Sequence, residues 1–167
     1  QMGYEHIHTA QAYDNEVEVG KDIKPSGVAR DQFFLTTKIF PDCMKFEPEK
    51  LIAAAKRSLE NLDTDYVDLL LLHWPKDRVS LSETMPALCE LQKQGLTRNI
   101  GVSNFNIANI IEAKKYADVP ISVNQVEFHP FIKQNTLQTF LNNHHILLEA
   151  YSPLARGDVF DNEVIKE

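Results

Sequence analysis

Six short apolar runs punctuate the chain, and each closes on a polar side chain suited to chemistry. His6-Ile7 leads to His8, Phe33-Phe34-Leu35-Thr36-Thr37 to Lys38, and Val67-Asp68-Leu69-Leu70-Leu71-Leu72 to His73. Ile100-Gly101-Val102 leads to Ser103-Asn104, Ile121-Ser122-Val123-Asn124 to Gln125, and Ile146-Leu147-Leu148-Glu149-Ala150 to Tyr151. Continuous apolar runs of this length mark strands covered on both faces, as in parallel sheets. Between them lie segments with helical period. Pro48–Leu62 is the clearest, with Leu51, Ile52, Ala55, Leu59 and Leu62 on one face and Lys50, Lys56, Arg57 and Glu60 largely opposite. Asn15–Lys24, Ser80–Gln94, Asn106–Tyr116 and Asn135–Asn143 repeat the pattern, and Asn162–Glu167 begins another. Asp14 or Asn15 can cap the first of these, and Gly95 stops the second, Ser80–Gln94.

Strand and helix therefore alternate throughout, which predicts βαβ units and a parallel sheet. An eight-stranded parallel barrel takes about 250 residues. Six units within 167 residues match that density, so the expected fold is α/β, a parallel (β/α)8 TIM barrel short of two units. Residues 1–167 are expected to form one partial barrel domain, with no linker: Pro25-Ser26-Gly27, Pro41-Asp42, Pro75-Lys76-Asp77 and Gly157-Asp158 fall between elements. The alternative is a doubly wound open sheet, which lacks support because no Gly-x-Gly-x-x-Gly follows the first strand. Gln1 reading straight into a strand implies that the beginning of a longer chain is missing.

Composition narrows the function classes. A net charge of −7 with no dense Lys/Arg block argues against nucleic acid or an anionic membrane as partner. Cys43 and Cys89 are too few and too separated for a disulfide framework or a metal site, which fits a reducing cytoplasm. The longest apolar stretch, around Leu69–Leu72, is too short to cross a bilayer. Oligomeric state is not legible.

In a parallel barrel the carboxyl ends of the strands share one rim. That rule gathers Tyr13, Lys38 and His73. Singly, a turn tyrosine is often a packing residue and a strand-end lysine a solvated charge. Together they form a proton-delivery set. A phenol titrates near 10 and is too weak an acid unless an ammonium stabilises its anion, and an imidazole can orient and polarise a carbonyl oxygen. Reduction of that carbonyl also needs hydride, which no side chain supplies, so a nicotinamide cofactor is implied. Ser103, Asn104 and Gln125 carry groups that match a carboxamide, although each also fits a rim hydrogen bond. Tyr151 offers a flat face for a ring, and Ser152-Pro153-Leu154 is either a plain turn or a cradle for phosphates. Trp74 and Phe40 form either an apolar substrate wall or core closure.

Six motifs in order carry a family resemblance. They are Gly3-Tyr4-x-His6-Ile7-x-Thr9-Ala10-x-x-Tyr13-x-Asn15-Glu16, Thr36-Thr37-Lys38, Leu72-His73-Trp74-Pro75, Ile100-Gly101-Val102-Ser103-Asn104-Phe105, Asn124-Gln125-Val126-Glu127-x-His129-Pro130 and Ala150-Tyr151-Ser152-Pro153-Leu154. Together they resemble the aldo-keto reductases, in tone the bacterial 2,5-diketo-gluconate reductase type. The resemblance implies reduction of small aldehydes or ketones with NADPH, NADH being possible. It assigns Tyr13 as general acid, Lys38 as its charged partner and His73 as the carbonyl-orienting group. Ser103, Asn104 and Gln125 then hold the carboxamide, Tyr151 stacks on the ring, and Ser152 and Leu154 line the pyrophosphate path. No metal is implied.

Two departures stand out. The family's fourth catalytic residue, an aspartate that pairs with the lysine, is replaced by His8, which predicts a less well placed Lys38 and impaired catalysis. The first unit and the last, with its basic segment for the adenosine phosphate, are also absent. A nicotinamide-binding protein without turnover, and a half-barrel interaction module, are the corresponding alternatives.

Overall fold

The computed structural model describes residues 3–40, 48–75 and 79–166. Cys43 and the turn signals Pro41-Asp42 and Lys76-Asp77 lie outside them, as do Gln1 and Glu167. Six strands pair in chain order, all parallel: β1 (His6–His8), β2 (Phe34–Ile39), β3 (Val67–Leu72), β4 (Thr97–Ser103), β5 (Ile121–Glu127) and β6 (Leu147–Tyr151). Between and after them run α1 (Glu16–Ile23), α2 (Pro48–Leu62), α3 (Leu81–Lys93), α4 (Ile107–Tyr116), α5 (Asn135–Asn143) and α6 (Glu163–Lys166). This is six units of a (β/α)8 barrel, as the alternation predicts. The sheet curls far enough for His8 on β1 to reach Glu149 on β6 at 3.2 Å.

Side chains along a strand alternate between faces, and here the two faces have different fates. The outer face (Leu35, Ile39, Leu70, Leu72, Ile100, Val102) packs against Leu51, Ala55, Leu59, Met85, Leu88 and Leu91 of the helices to make the main core. The inner face begins with a small apolar floor of Phe34, Leu69, Leu71 and Val123. Gly101 is required at that floor, because a Cβ there would stand 2.7 Å from Leu71 Cδ2 and from the Val123 carbonyl oxygen. Above the floor the inward positions turn polar: Thr36 and Lys38 on β2, Gln125 on β5, Glu149 on β6.

Local signals explain most element ends. Ser80 caps α3 by accepting from the Ser82 amide, and Asn106 and Asn109 close a reciprocal cap on α4. Gly95 follows α3 at φ 75°, the left-handed stop expected of it. The start of α1 differs from expectation. Asn15 sits at the cap position, but its Oδ1 accepts from Thr9 Oγ1 at 2.6 Å, and Asp14 is left-handed at φ 52°. The side chain is spent on the preceding loop, where it has a use described below. Lys38 and Gln125 lie one and two residues short of their strand ends. Among the described residues no helix is long and apolar enough to cross a membrane.

Candidate active site

Tyr13 reaches the rim on the loop between β1 and α1, which is anchored at three points. Thr9 Oγ1 donates to Asn15 Oδ1 across the loop. Gln11 Nε2 donates to the Ala54 carbonyl at 3.0 Å and to Ser58 Oγ at 3.1 Å, tying the loop to α2. Just beyond, the buried Glu16 carboxylate accepts from Thr37 Oγ1 at 2.7 Å and from Asn61 Nδ2 at 3.2 Å. Residues 11–13 form a single 3-10 turn, and the phenol projects from its end, half exposed.

The Tyr13 hydroxyl meets the Lys38 ammonium, with Nζ to Oη at 3.0 Å. Lys38 is only 4% exposed, so its charge acts through little water. The His73 ring lies edge-on to Tyr13 with centroids 5.9 Å apart, and Phe40 closes its other side at 5.7 Å. The three side chains expected to converge do so. Burial, with Lys38 adding to it, pushes the His73 imidazole down to about 4. It is therefore neutral at pH 7 and offers a neutral N–H beside the ammonium. Its Nδ1 is buried with no partner among the described residues. Trp74 and Phe40 are 41% and 37% exposed, which excludes core closure.

His8 lies below this trio on the inner face. Desolvation pulls its pKa below the ordinary histidine range; Glu149 opposes that shift, while Lys38 and His6 add to it. His8 Nδ1 stands 3.2 Å from Glu149 Oε1. The same oxygen accepts from Gln125 Nε2 at 2.5 Å. Glu149 was not singled out by the sequence, where it reads as a lone acid in an apolar run. The available signal was its parity with Tyr151, two residues along the same strand, which places both on the inner face.

The candidate carboxamide residues are partly occupied. Ser103 Oγ donates to the Gln125 carbonyl at 2.9 Å, and Asn104 Nδ2 donates to the His73 carbonyl and to Ser103 Oγ, each at 3.1 Å. Asn104 adopts a left-handed backbone at φ 63° to do so, and it thereby braces the segment carrying His73. What remains for a ligand is acceptor capacity. Gln125 Oε1 is buried with no partner among the described residues. A buried acceptor of this kind costs free energy until a donor arrives, and the amide NH2 of a nicotinamide is such a donor. The residues present fit that group.

Tyr151 is half buried at the end of β6, where desolvation raises its phenol above the usual range; Glu127 adds to this and Arg156 opposes it. After it the chain turns sharply. Ser152, Ala155 and Arg156 take φ values of 49°, 48° and 55°, followed by Gly157 at 106°. Leu154 is 53% exposed on this loop. The turn is closed by its own backbone, the Ala155 amide donating to the Ser152 carbonyl at 2.8 Å and the Gly157 amide to the Leu154 carbonyl at 2.9 Å. Arg156, also missed by the sequence reading, adds an exposed cation there. Among the described residues no group of acidic, His or Cys side chains suits a metal ion.

A curled parallel sheet with a phenol, an ammonium and a neutral imidazole at its carboxyl rim defines a class of α/β-barrel protein. Comparison with known proteins makes the class particular. Residues 1–166 match the Aldo/keto reductase family model, and the chain belongs to that family. It is 45% identical over 166 residues to glyoxal reductase of Bacillus subtilis (strain 168), covering 99% of this chain and 59% of the relative. A crystal structure provisionally assigned as 2,5-diketo-D-gluconic acid reductase B superposes with a TM-score of 0.93 at 41% identity, covering 98% of this chain and 57% of that one. The Bombyx mori aldo-keto reductase in complex with NADP superposes at 0.82 with 33% identity, covering 90% and 52%. The chain thus spans about six-tenths of the length of these relatives.

Proposed function

We propose that this chain carries the catalytic rim of a reductase that converts small aldehydes or ketones to alcohols with a reduced nicotinamide. The observation that carries the reading is the contact between Tyr13 Oη and Lys38 Nζ, with neutral His73 beside it. A nicotinamide held at this rim would supply the hydride that no side chain can. Tyr13 gives its proton to the carbonyl oxygen, and the Lys38 ammonium stabilises the negative charge that develops on the phenol oxygen. His73 donates a hydrogen bond to the same carbonyl and fixes its direction, without adding a second positive charge to the pocket. Gln125 and Asn104 would hold the carboxamide, Ser103 bracing them, and Tyr151 would offer its face to the ring. The Ser152–Leu154 turn and Arg156 would line the pyrophosphate path. NADPH is the expected form, by likeness to the NADP-bound relative, and a reducing cytoplasm the expected setting.

Phe40 and Trp74 leave a narrow wall with an apolar side, and the glyoxal reductase relative points to small dicarbonyls as substrates. The test is oxidation of NADPH and of NADH, followed by absorbance, with glyoxal and a panel of simple aldehydes. Carbonyl-dependent oxidation supports the reading. His8 at the aspartate position favours one second reading, a nicotinamide-binding protein without turnover. Quenching of its fluorescence by NADPH, with no aldehyde reduced, selects that one instead.

A further inference from the structure

We propose that Glu149 is a positioning residue for the cofactor site: it fixes the side-chain amide of Gln125 so that the oxygen Oε1, and not the NH2, is left to meet a carboxamide. The proposal rests on the reductase reading and concerns how the site selects a ring that carries an amide.

Gln125 and Glu149 are register partners on β5 and β6, and their side chains share the inner face of the sheet. The two ends of a glutamine amide have nearly the same shape, but one accepts hydrogen bonds and the other donates them. Packing alone therefore does not choose between the two orientations. A carboxylate does choose, because it can only accept. Gln125 Nε2 donates to Glu149 Oε1 at 2.5 Å, and turning the amide over would set oxygen against oxygen at that distance. A bond to a charged acceptor is stronger than one between neutral groups, and Gln125 is only 3% exposed, so little water competes for its amide. The consequence falls on the other end of the side chain. The main-chain carbonyl of Gln125 is already used, accepting from Ser103 Oγ and from the Asn104 amide at 2.9 Å each. Oε1 is buried with no partner among the described residues. Glu149 thus leaves an acceptor waiting for a donor, which a carboxamide has and a ketone lacks.

The test compares Glu149→Met with the parent, both as the full chain, through quenching of Trp74, the single tryptophan. The ligands are NADPH and its reduced acetylpyridine analogue, in which a methyl ketone replaces the carboxamide. The analogue keeps the carbonyl but has no donor for Oε1. The parent is expected to bind NADPH several-fold more tightly than the analogue. Glu149→Met weakens NADPH by about tenfold, the size of one buried hydrogen bond, and leaves the analogue within about twofold. Glu149→Gln keeps the shape but accepts Gln125 either way round, and its loss falls between. Equal losses for both ligands would overturn the proposal, because Glu149 would then only shape the site; so would undiminished discrimination in Glu149→Met. A second measurement needs no cofactor: the side-chain amide protons of Gln125 in a proton–nitrogen correlation spectrum. One of them lies downfield in the parent and returns to the ordinary amide position in Glu149→Met. An unmoved amide refutes the proposal whether or not NADPH binds, whereas a moved amide in a chain that binds neither ligand sinks the reductase reading alone.

Discussion

At the scale of single residues, the site joins one cation to a neutral imidazole rather than to a second cation. The depressed His73 makes this possible and has a consequence for pH dependence. Its folded value, about 4, lies below the ordinary 6.5, so the neutral form persists as acid is added. The acid limb of kcat/KM that reports His73 is expected near pH 4, measured with glyoxal across a buffer series. A limb centred near 6.5 would mean an ordinary, solvated histidine and would remove the argument for His73 as a neutral donor. Lys38 and His73 were legible in the sequence because a polar residue at the end of an apolar parallel strand has one rim to go to, and Tyr13 because it lies in the turn that follows such an end. Glu149 and Arg156 were not. A charge inside or just after an apolar run reads as a surface residue until the curl of the sheet shows what stands across from it.

At the scale of elements, the Tyr13 loop shows how motif residues that do no chemistry place one that does. Thr9, Gln11, Asn15 and Glu16 spend their side chains on the loop, on α2 and on β2. Asn15 matched the pattern of a helix cap, yet its oxygen serves the loop instead, since Thr9 competes for it at closer range. Helix boundaries elsewhere followed the sequence closely, with α2 and α5 starting and ending where the apolar period and the flanking turns indicate. Gln11→Ala removes both ties to α2 and leaves the Ala54 carbonyl without that donor. The expected cost is about 1–2 kcal/mol of stability by denaturant unfolding, with a several-fold loss of kcat as Tyr13 loosens. Unchanged kcat would show that the contact with Lys38 alone suffices to place the phenol.

At the scale of the molecule, the curled sheet separates an outer apolar core from an inner face that is apolar only at its floor. The alternation of runs and helices was enough to read the parallel order of all six strands. The two-faced character of the strands was harder to see. In β3 both faces are filled by leucine, so Leu69 and Leu71, which line the floor, look no different from Leu70 and Leu72, which meet the helices. Burying His73 in neutral form has a cost that belongs to the whole fold. An unfolded chain takes up a proton on this residue as pH falls through 6.5, while the folded chain resists. For His73, stability is therefore unaffected above 6.5, declines between 6.5 and about 4, and levels off once the folded form is protonated too. For His73 the loss is of order 2–3 kcal/mol, measurable by urea unfolding at a series of pH values. His73→Gln should flatten that part of the curve.

The central claim is that the Tyr13 hydroxyl, held against the Lys38 ammonium, delivers the proton in a carbonyl reduction. The most direct measurement compares single-turnover oxidation of bound NADPH by glyoxal in the parent and in Tyr13→Phe, with cofactor binding checked by fluorescence. The account predicts turnover in the parent and a loss of about 10²–10⁴-fold in the variant, with cofactor affinity retained. A variant as fast as the parent would contradict it.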